Sequence, residues 1–156
     1  MRSKALFLIS ALLICSLISN SSIFAQSRDR TNPTPLRSHQ ISGFAGADSS
    51  VHWYKLTAGP RELLVWMHVN CIERTCGGVS ARFVLWDKNM QAVMDESLIA
   101  DPGQSKRKNK SLILQSKQDV LLSIGHGSAH GKPGTYEIQF KGALDLPPKE
   151  SEKKDD

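Results

Sequence analysis

Apolar residues alternate with polar residues along much of this chain, and a period of two is the pattern of an extended strand. The clearest case runs from Thr135 to Lys141, where Tyr136, Ile138 and Phe140 share one side and polar residues share the other. Successive side chains of a strand point to opposite faces, so this segment predicts a strand with one buried face.

Seven other segments carry a similar pattern and are separated by turn residues such as those of Asp87-Lys-Asn89. They lie at 39–44, 51–57, 63–69, 81–86, 91–95, 111–115 and 120–124. The 63–69 segment is apolar on both faces, which predicts a central strand. The best candidate for a helix, Val93 to Ala100, is weakly patterned. About eight short strands with regular turns predict an all-β fold, an antiparallel β-sandwich of jelly-roll-like form.

The start of the chain has the order of a secretion signal. Arg2 and Lys4 precede an apolar run from Ala5 to Ile18, and a small residue, Ala25, follows a polar stretch. We expect residues 1–25 to be a signal peptide that is cleaved after Ala25. The apolar run is too short for a membrane span, so the sequence predicts a secreted or periplasmic protein with no span after cleavage.

The remaining sequence predicts a single domain with polar ends. Residues 26–37 are polar and contain two prolines, so we expect a linker; residues 38–146 hold the β-sandwich; residues 147–156 form a charged tail that we expect to be disordered. Two basic residues leave with the signal, so the net charge falls from +5 to +3. That charge is mild and does not indicate a nucleic-acid partner.

Two cysteines remain after the signal, Cys71 and Cys76, with four residues between them. In an oxidising compartment such a pair predicts a disulfide, here one that closes a tight turn between two strands. A loop of this size stabilises the fold by about 2 kcal/mol. The spacing lacks the two-residue interval of a thioredoxin-type redox pair, and a metal site would need two more ligands nearby.

Three motifs follow one another in order: Trp53-Tyr-Lys-Leu-Thr-Ala-Gly59, Phe83-Val-Leu-Trp-Asp-Lys-Asn89 and Gly134-Thr-Tyr-Glu-Ile-Gln-Phe140, with Gly43 ahead of them. Through them, residues 39 to 142 resemble the bacterial pre-peptidase C-terminal domain, a β-sandwich found beside secreted proteases. The resemblance implies a non-catalytic module that binds, targets or assists. Ser49-Ser-Val-His52 stands where the family usually has acidic residues, so its calcium site is not carried over.

The segment Gly125-His-Gly-Ser-Ala-His-Gly131 could act through His126 and His130, either as a metal pair or, with Ser128, as a hydrolase. Both chemistries need further groups held in place, and the glycines favour a long, mobile loop between the last two strands. His126 and His130 are candidate binding residues. The sequence indicates no metal and no cofactor.

A basic run and two tryptophans are the other candidates for binding. The basic side chains are Lys106, Arg107, Lys108 and Lys110. They could bind an acidic polysaccharide, lipid headgroups or nucleic acid, although a solvated hairpin loop is the favoured interpretation. Trp66 and Trp86 would form a sugar-binding patch if both point outward on neighbouring strands, whereas tryptophans more often fill a core.

No catalytic constellation emerges, so the sequence predicts a protein that is not an enzyme. The leading hypothesis is a secreted or periplasmic binding module for an extracytoplasmic protein or polysaccharide. The first alternative is an accessory subunit or inhibitor of a separately encoded secreted protease. The second is a hydrolase that uses the 126–130 segment.

Overall fold

The computed structural model describes residues 26–45, 49–73, 75–128 and 132–147, and its regular elements there are all strands. The eight strands are β1 Thr34–Pro35, β2 Gln40–Ala45, β3 Ser50–Cys71, β4 Val79–Trp86, β5 Ala92–Ala100, β6 Gln104–Leu114, β7 Gln118–Ser128 and β8 Gly134–Asp145. All the strand pairs are antiparallel except the short β1–β3 pair. The predicted all-β, antiparallel sandwich of eight strands is confirmed.

One strand, β3, belongs to both layers of the sandwich. Its first half, Ser50 to Ala58, pairs with β7, and its second half, from Arg61 to Cys71, pairs with β6. β8 pairs with the second half on the other side. The front layer therefore has the order β2-β8-β3-β6, and the back layer has the order β3-β7-β4-β5. The predicted strands 51–57 and 63–69 are parts of this one strand of 22 residues.

The core lies between the layers and takes every second side chain of the central strands. Its largest fully buried members are Tyr136, Phe83, Leu63, Met67, Leu85, Leu122, Ile124, Ile138, Val65, Val69, Val79 and Cys71. Phe83 of the back layer meets Tyr136 of the front layer edge-on, with 6.4 Å between the ring centroids.

The predicted disulfide between Cys71 and Cys76 is confirmed. Cys71 is the last residue of β3, and both cysteines are buried, 1% and 3% exposed. The bridge therefore closes the start of the connection between the front and back layers, where β3 ends and the chain turns towards β4.

Residues 26–37, predicted as a linker, instead pack along the sheet. The amide of Trp53 donates to the carbonyl of Ser27 at 2.8 Å, β1 pairs with Tyr54 and Lys55, and Leu36 is only 4% exposed. Because residues 26–37 are polar, their sequence did not indicate that they complete the edge of the back layer. The predicted signal peptide and all of the predicted tail except Pro147 lie outside the described residues.

One other prediction of local structure was wrong, and the weakly patterned helix candidate is a strand. Residues 106–110, expected in a hairpin loop, lie within β6, which extends the predicted 111–115 strand towards the chain start. Val93 to Ala100 belongs to β5, where Met94, Leu98 and Ala100 are buried and Val93, Asp95 and Ile99 are exposed. That is the period of a strand, not of a helix. Within the described ranges, no helix is long and apolar enough to cross a membrane.

Candidate functional site

The outer face of the front layer carries an open groove of about 800 Å³ on β8, β3 and β6. Val65, Met67 and Val69 of β3 are buried in the core, so Trp66 and His68 between them point to the groove. The strong core preference of three aliphatic positions thus fixes which side of β3 faces outward.

The side chains on this outer face form three rows, because the three strands are paired in register. The rows are Glu137–His68–Arg107, Gln139–Trp66–Asn109 and Lys141–Leu64–Ser111. Trp66 therefore lies between two amide side chains. One cation, Arg107, lies in the row on one side of it, and another, Lys141, lies in the row on the other side.

Trp66 is the exposed aromatic surface of this groove, with 36% of the residue accessible. Beside it, the amide of Gln139 donates a hydrogen bond to the Glu137 carboxylate, which holds that carboxylate on β8. An aromatic face bordered by hydrogen-bonding groups suits a ligand that has an apolar face and a polar rim.

His68 lies in the floor of the groove, where its surroundings favour the neutral form of the imidazole. Its pKa is lowered, chiefly by burial and then by the positive charge of Arg107, while the negative charge of Glu137 partly opposes the shift. The Nε2 atom of His68 is buried, and none of the described residues forms a hydrogen bond with it. A neutral imidazole can donate or accept a hydrogen bond at this nitrogen, depending on its tautomer.

We expect the pKa of His68 to respond in opposite directions to its two charged neighbours. Arg107→Gln removes a repelling cation and should raise the pKa, whereas Glu137→Gln removes an attracting anion and should lower it further. An NMR titration of the imidazole protons measures both. The folded pKa lies below the unfolded one, so this group favours folding above its unfolded pKa and ceases to do so as the pH falls. Equal titration midpoints in both variants would contradict this electrostatic arrangement.

The basic residues of β6 are divided between its two faces. Lys108 and Lys110 lie on the face of β6 that is directed towards the edge of the core. There their ammonium groups reach the Glu96 carboxylate of β5 at 2.5 and 3.4 Å. These contacts lower the pKa of Glu96, the hydrogen bond from Lys108 being the largest cause. Arg107, in contrast, faces the groove. The basic run is therefore divided, and of these three residues only Arg107 faces the groove that contains Trp66.

Trp86 lies on the outer face of the back layer, far from Trp66 in the sheet order. Its ring is 6.4 Å from that of Trp53, and its Nε1 donates to the hydroxyl of Ser123 at 3.0 Å. Trp66 and Trp86 thus both point outward, but they lie on opposite faces of the sandwich. The structure does not bring Trp66 and Trp86 together into one patch.

His126 is not in a mobile loop but in β7, where it is 7% exposed. Its Nε2 lies 3.1 Å from the hydroxyl of Ser50 and 3.3 Å from Nδ1 of His52, and its ring stacks on Tyr136 with centroids 5.1 Å apart. A substrate would not reach this Ser50–His126 pair, because both side chains are more than nine-tenths buried. His130 lies outside the described residues.

Several groove residues were missed by sequence reasoning. Glu137, Gln139 and Lys141 were expected on the outer face of their strand, but nothing in the sequence indicated that β8 pairs with the strand of Trp66. His68 was hidden in a segment apolar on both faces, which suggests double burial. The alternation of apolar and polar residues was the available signal. It indicates the face of the sheet on which each residue lies, but not which residues of other strands lie beside it.

No protein-family model matches this chain, and no curated protein matches it. Solved structures do match. The pre-peptidase C-terminal domain of collagenase from Bacillus anthracis is 14% identical and has a TM-score of 0.47, with 74% of this chain and 99% of that chain covered. This finding confirms the predicted resemblance to that domain as a likeness of structure.

Carbohydrate-binding modules of family 35 are similar to the chain as well. One from an environmental isolate is 13% identical and has a TM-score of 0.42, and the match covers 79% of this chain and 88% of that module. Another, from Cellvibrio japonicus Abf62, is 11% identical, covers 78% and 85%, and has a TM-score of 0.41. Such distant likenesses concern the fold and leave the ligand of this chain to be argued from its own groove.

Proposed function

We propose that this chain is a non-catalytic binding module that acts outside the cytoplasm, and that the groove around Trp66 binds a polysaccharide. The observation that carries the proposal is the central row, in which an exposed indole lies between two amide side chains, Gln139 and Asn109, on an open surface.

The chemistry of this row matches that of a sugar ring. A pyranose has an apolar face of C–H groups that packs on an aromatic ring, and its hydroxyls are directed outward around the rim. The amides of Gln139 and Asn109 each provide donors and an acceptor, so they can pair with hydroxyls on either side of the ring stacked on Trp66. An open groove also lets a chain continue beyond this one sugar.

The groove favours binding over hydrolysis. Glycoside hydrolysis generally uses two carboxyl groups on either side of the scissile bond. Among the described residues that line the groove, Glu137 is the single carboxylate, and Gln139 already holds it by a hydrogen bond.

The proposed location rests on two features of the chain. The first 25 residues have the pattern of a secretion signal, and the Cys71–Cys76 bridge is of the kind that persists in an oxidising compartment.

A protein partner is the second candidate, in keeping with an accessory subunit or inhibitor of a secreted protease. The observation that favours it is β6, an 11-residue strand that pairs with β3 on one side only within the described part of the chain. An extended peptide could add to such an edge. The charged side chains of β6 work against this mode, because inward-facing lysines are a common device against strand addition.

Trp66→Ala is expected to weaken binding to polysaccharide by about tenfold or more, since it removes the stacking surface. The binding is measured by electrophoresis through gels that contain each polysaccharide, and by isothermal titration. Ile99→Ala is the control, because Ile99 is 65% exposed on the outer face of the back layer. Undiminished binding in Trp66→Ala, or no binding of the natural chain to any polysaccharide while it captures a protease, would reject the groove proposal.

A further inference from the structure

The cations around Trp66 point to the charge of the ligand. Arg107 and Lys141 both face the groove, and neither forms an ion pair with any of the described residues. Several other exposed cations on the sandwich are paired, for example Arg82 with Asp95 at 2.5 Å and Lys55 with Asp119 at 2.8 Å. The groove therefore carries two cations whose charge is not neutralised by an ion pair.

The two cations lie at the two ends of one diagonal that passes through Trp66. In an antiparallel sheet, diagonal neighbours on one face lie about 7–8 Å apart, within reach of long side chains. Arg107 is diagonal to Trp66 on β6, and Lys141 is diagonal to it on β8. A chain that crosses the ring along this diagonal would therefore meet one cation before the stacked sugar and another after it.

The negative charge of Glu137 favours one of the two diagonals across Trp66 for an anionic ligand. It occupies the row of Arg107 but on the opposite strand, so an anionic ligand is repelled from that corner and drawn towards Arg107. The Glu137 carboxylate remains an acceptor for a sugar hydroxyl. His68 lies between Glu137 and Arg107 in the same row.

We infer that the ligand is an acidic polysaccharide, and that Arg107 and Lys141 bind its anionic groups on the two sides of a sugar stacked on Trp66. This inference rests on the proposed function. Carboxylate and sulfate share the chemistry needed, because the planar guanidinium of Arg107 offers two parallel N–H donors to either, and Lys141 adds a point charge.

The test compares each acidic polymer with its neutral counterpart. Polygalacturonate is matched with its fully methyl-esterified form, and dextran sulfate is matched with dextran. The full chain should bind an acidic form at least about tenfold more tightly than the neutral form, and the preference should shrink from about 0.05 to about 0.5 M sodium chloride. The pair that shows the preference identifies carboxylate or sulfate as the anion.

Two variants with the same change of charge separate a site from general attraction. Arg107→Gln should weaken binding to the acidic form about tenfold more than it weakens binding to the neutral form. Lys88→Gln removes an equal charge from the turn after β4 and should change neither by more than about twofold. Circular dichroism confirms that both variants are folded.

The possible outcomes are distinct. Equal affinity for the acidic and neutral forms, with binding still lost in Trp66→Ala, overturns the acidic ligand but leaves the polysaccharide groove standing. Equal losses in Arg107→Gln and Lys88→Gln also overturn the proposed contacts, since they indicate attraction by net charge alone. Binding that Trp66→Ala does not reduce overturns both proposals.

Discussion

Phe83→Ala is expected to lower the free energy of unfolding by about 4 kcal/mol, the largest stability loss that we predict for a single substitution in this chain. Phe83 is fully buried in β4 and meets Tyr136 across the two layers. Its removal deletes apolar contact and leaves a cavity that the neighbouring strands cannot fill, because both layers are held by their hydrogen-bond ladders. Urea denaturation followed by tryptophan fluorescence measures the change.

Phe44→Ala provides the matched control for Phe83→Ala. The same type of side chain is removed in both variants, but Phe44 is 71% exposed on β2. Little buried surface is therefore lost, and the free energy of unfolding should change by less than about 1 kcal/mol. Similar losses in the two variants would show that the layers do not pack against each other through Phe83.

Gly59→Ala is expected to destabilise the fold by about 3 kcal/mol, because two separate costs add at this position. The φ angle of Gly59 is +88°, which residues with a side chain rarely adopt. A β-carbon there would also lie 2.4 Å from the backbone carbonyl oxygen of Ser116, and backbone atoms cannot move aside as a flexible side chain can. The residue sits where β3 passes from the back layer to the front layer.

Gly103→Ala isolates the first of these costs. Its φ angle, +80°, is similar, but no atom lies within 4 Å of the position that a β-carbon would take. Thermal unfolding should therefore show a loss of about 1 kcal/mol for Gly103→Ala and roughly three times as much for Gly59→Ala. Equal losses would mean that the contact with Ser116 carries no weight.

The fold was predictable from the sequence where alternation is strict. The last strand, with Tyr136, Ile138 and Phe140 buried, was predicted in the correct phase. The same rule failed where burial does not alternate. β6 is exposed at every position from Gln104 to Ser111 because it is an edge strand, so it has no apolar face by which a sequence could reveal it.

Glycine misled the interpretation of the segment around His126. Gly125 and Gly127 suggested a loop, yet both lie within β7. A β-carbon would meet its nearest neighbour at 3.7 Å at Gly125 and at 3.4 Å at Gly127, so neither position is closed to a side chain. Composition records that a glycine is present and does not distinguish a turn from the interior of a strand.

The candidate site was predicted in part. Trp66 and Arg107 were both named as candidate binding residues, but for separate patches, and Trp86 was to join Trp66 only if both pointed outward on neighbouring strands. What brings Trp66 and Arg107 together is the pairing of β3 with β6, in which His68 lies opposite Arg107. Pairing between strands more than 30 residues apart depends on the whole topology, so local patterns identify the members of the site without assembling it.

The double membership of β3 has a consequence for how tightly the groove can bind. Trp66 stands on a strand that is hydrogen-bonded on both sides, to β8 and to β6, and that continues into the back layer. A ligand therefore meets a surface whose backbone is already ordered. Little conformational entropy is lost when the complex forms, and more of the contact energy remains as affinity than would remain for a site made of loops.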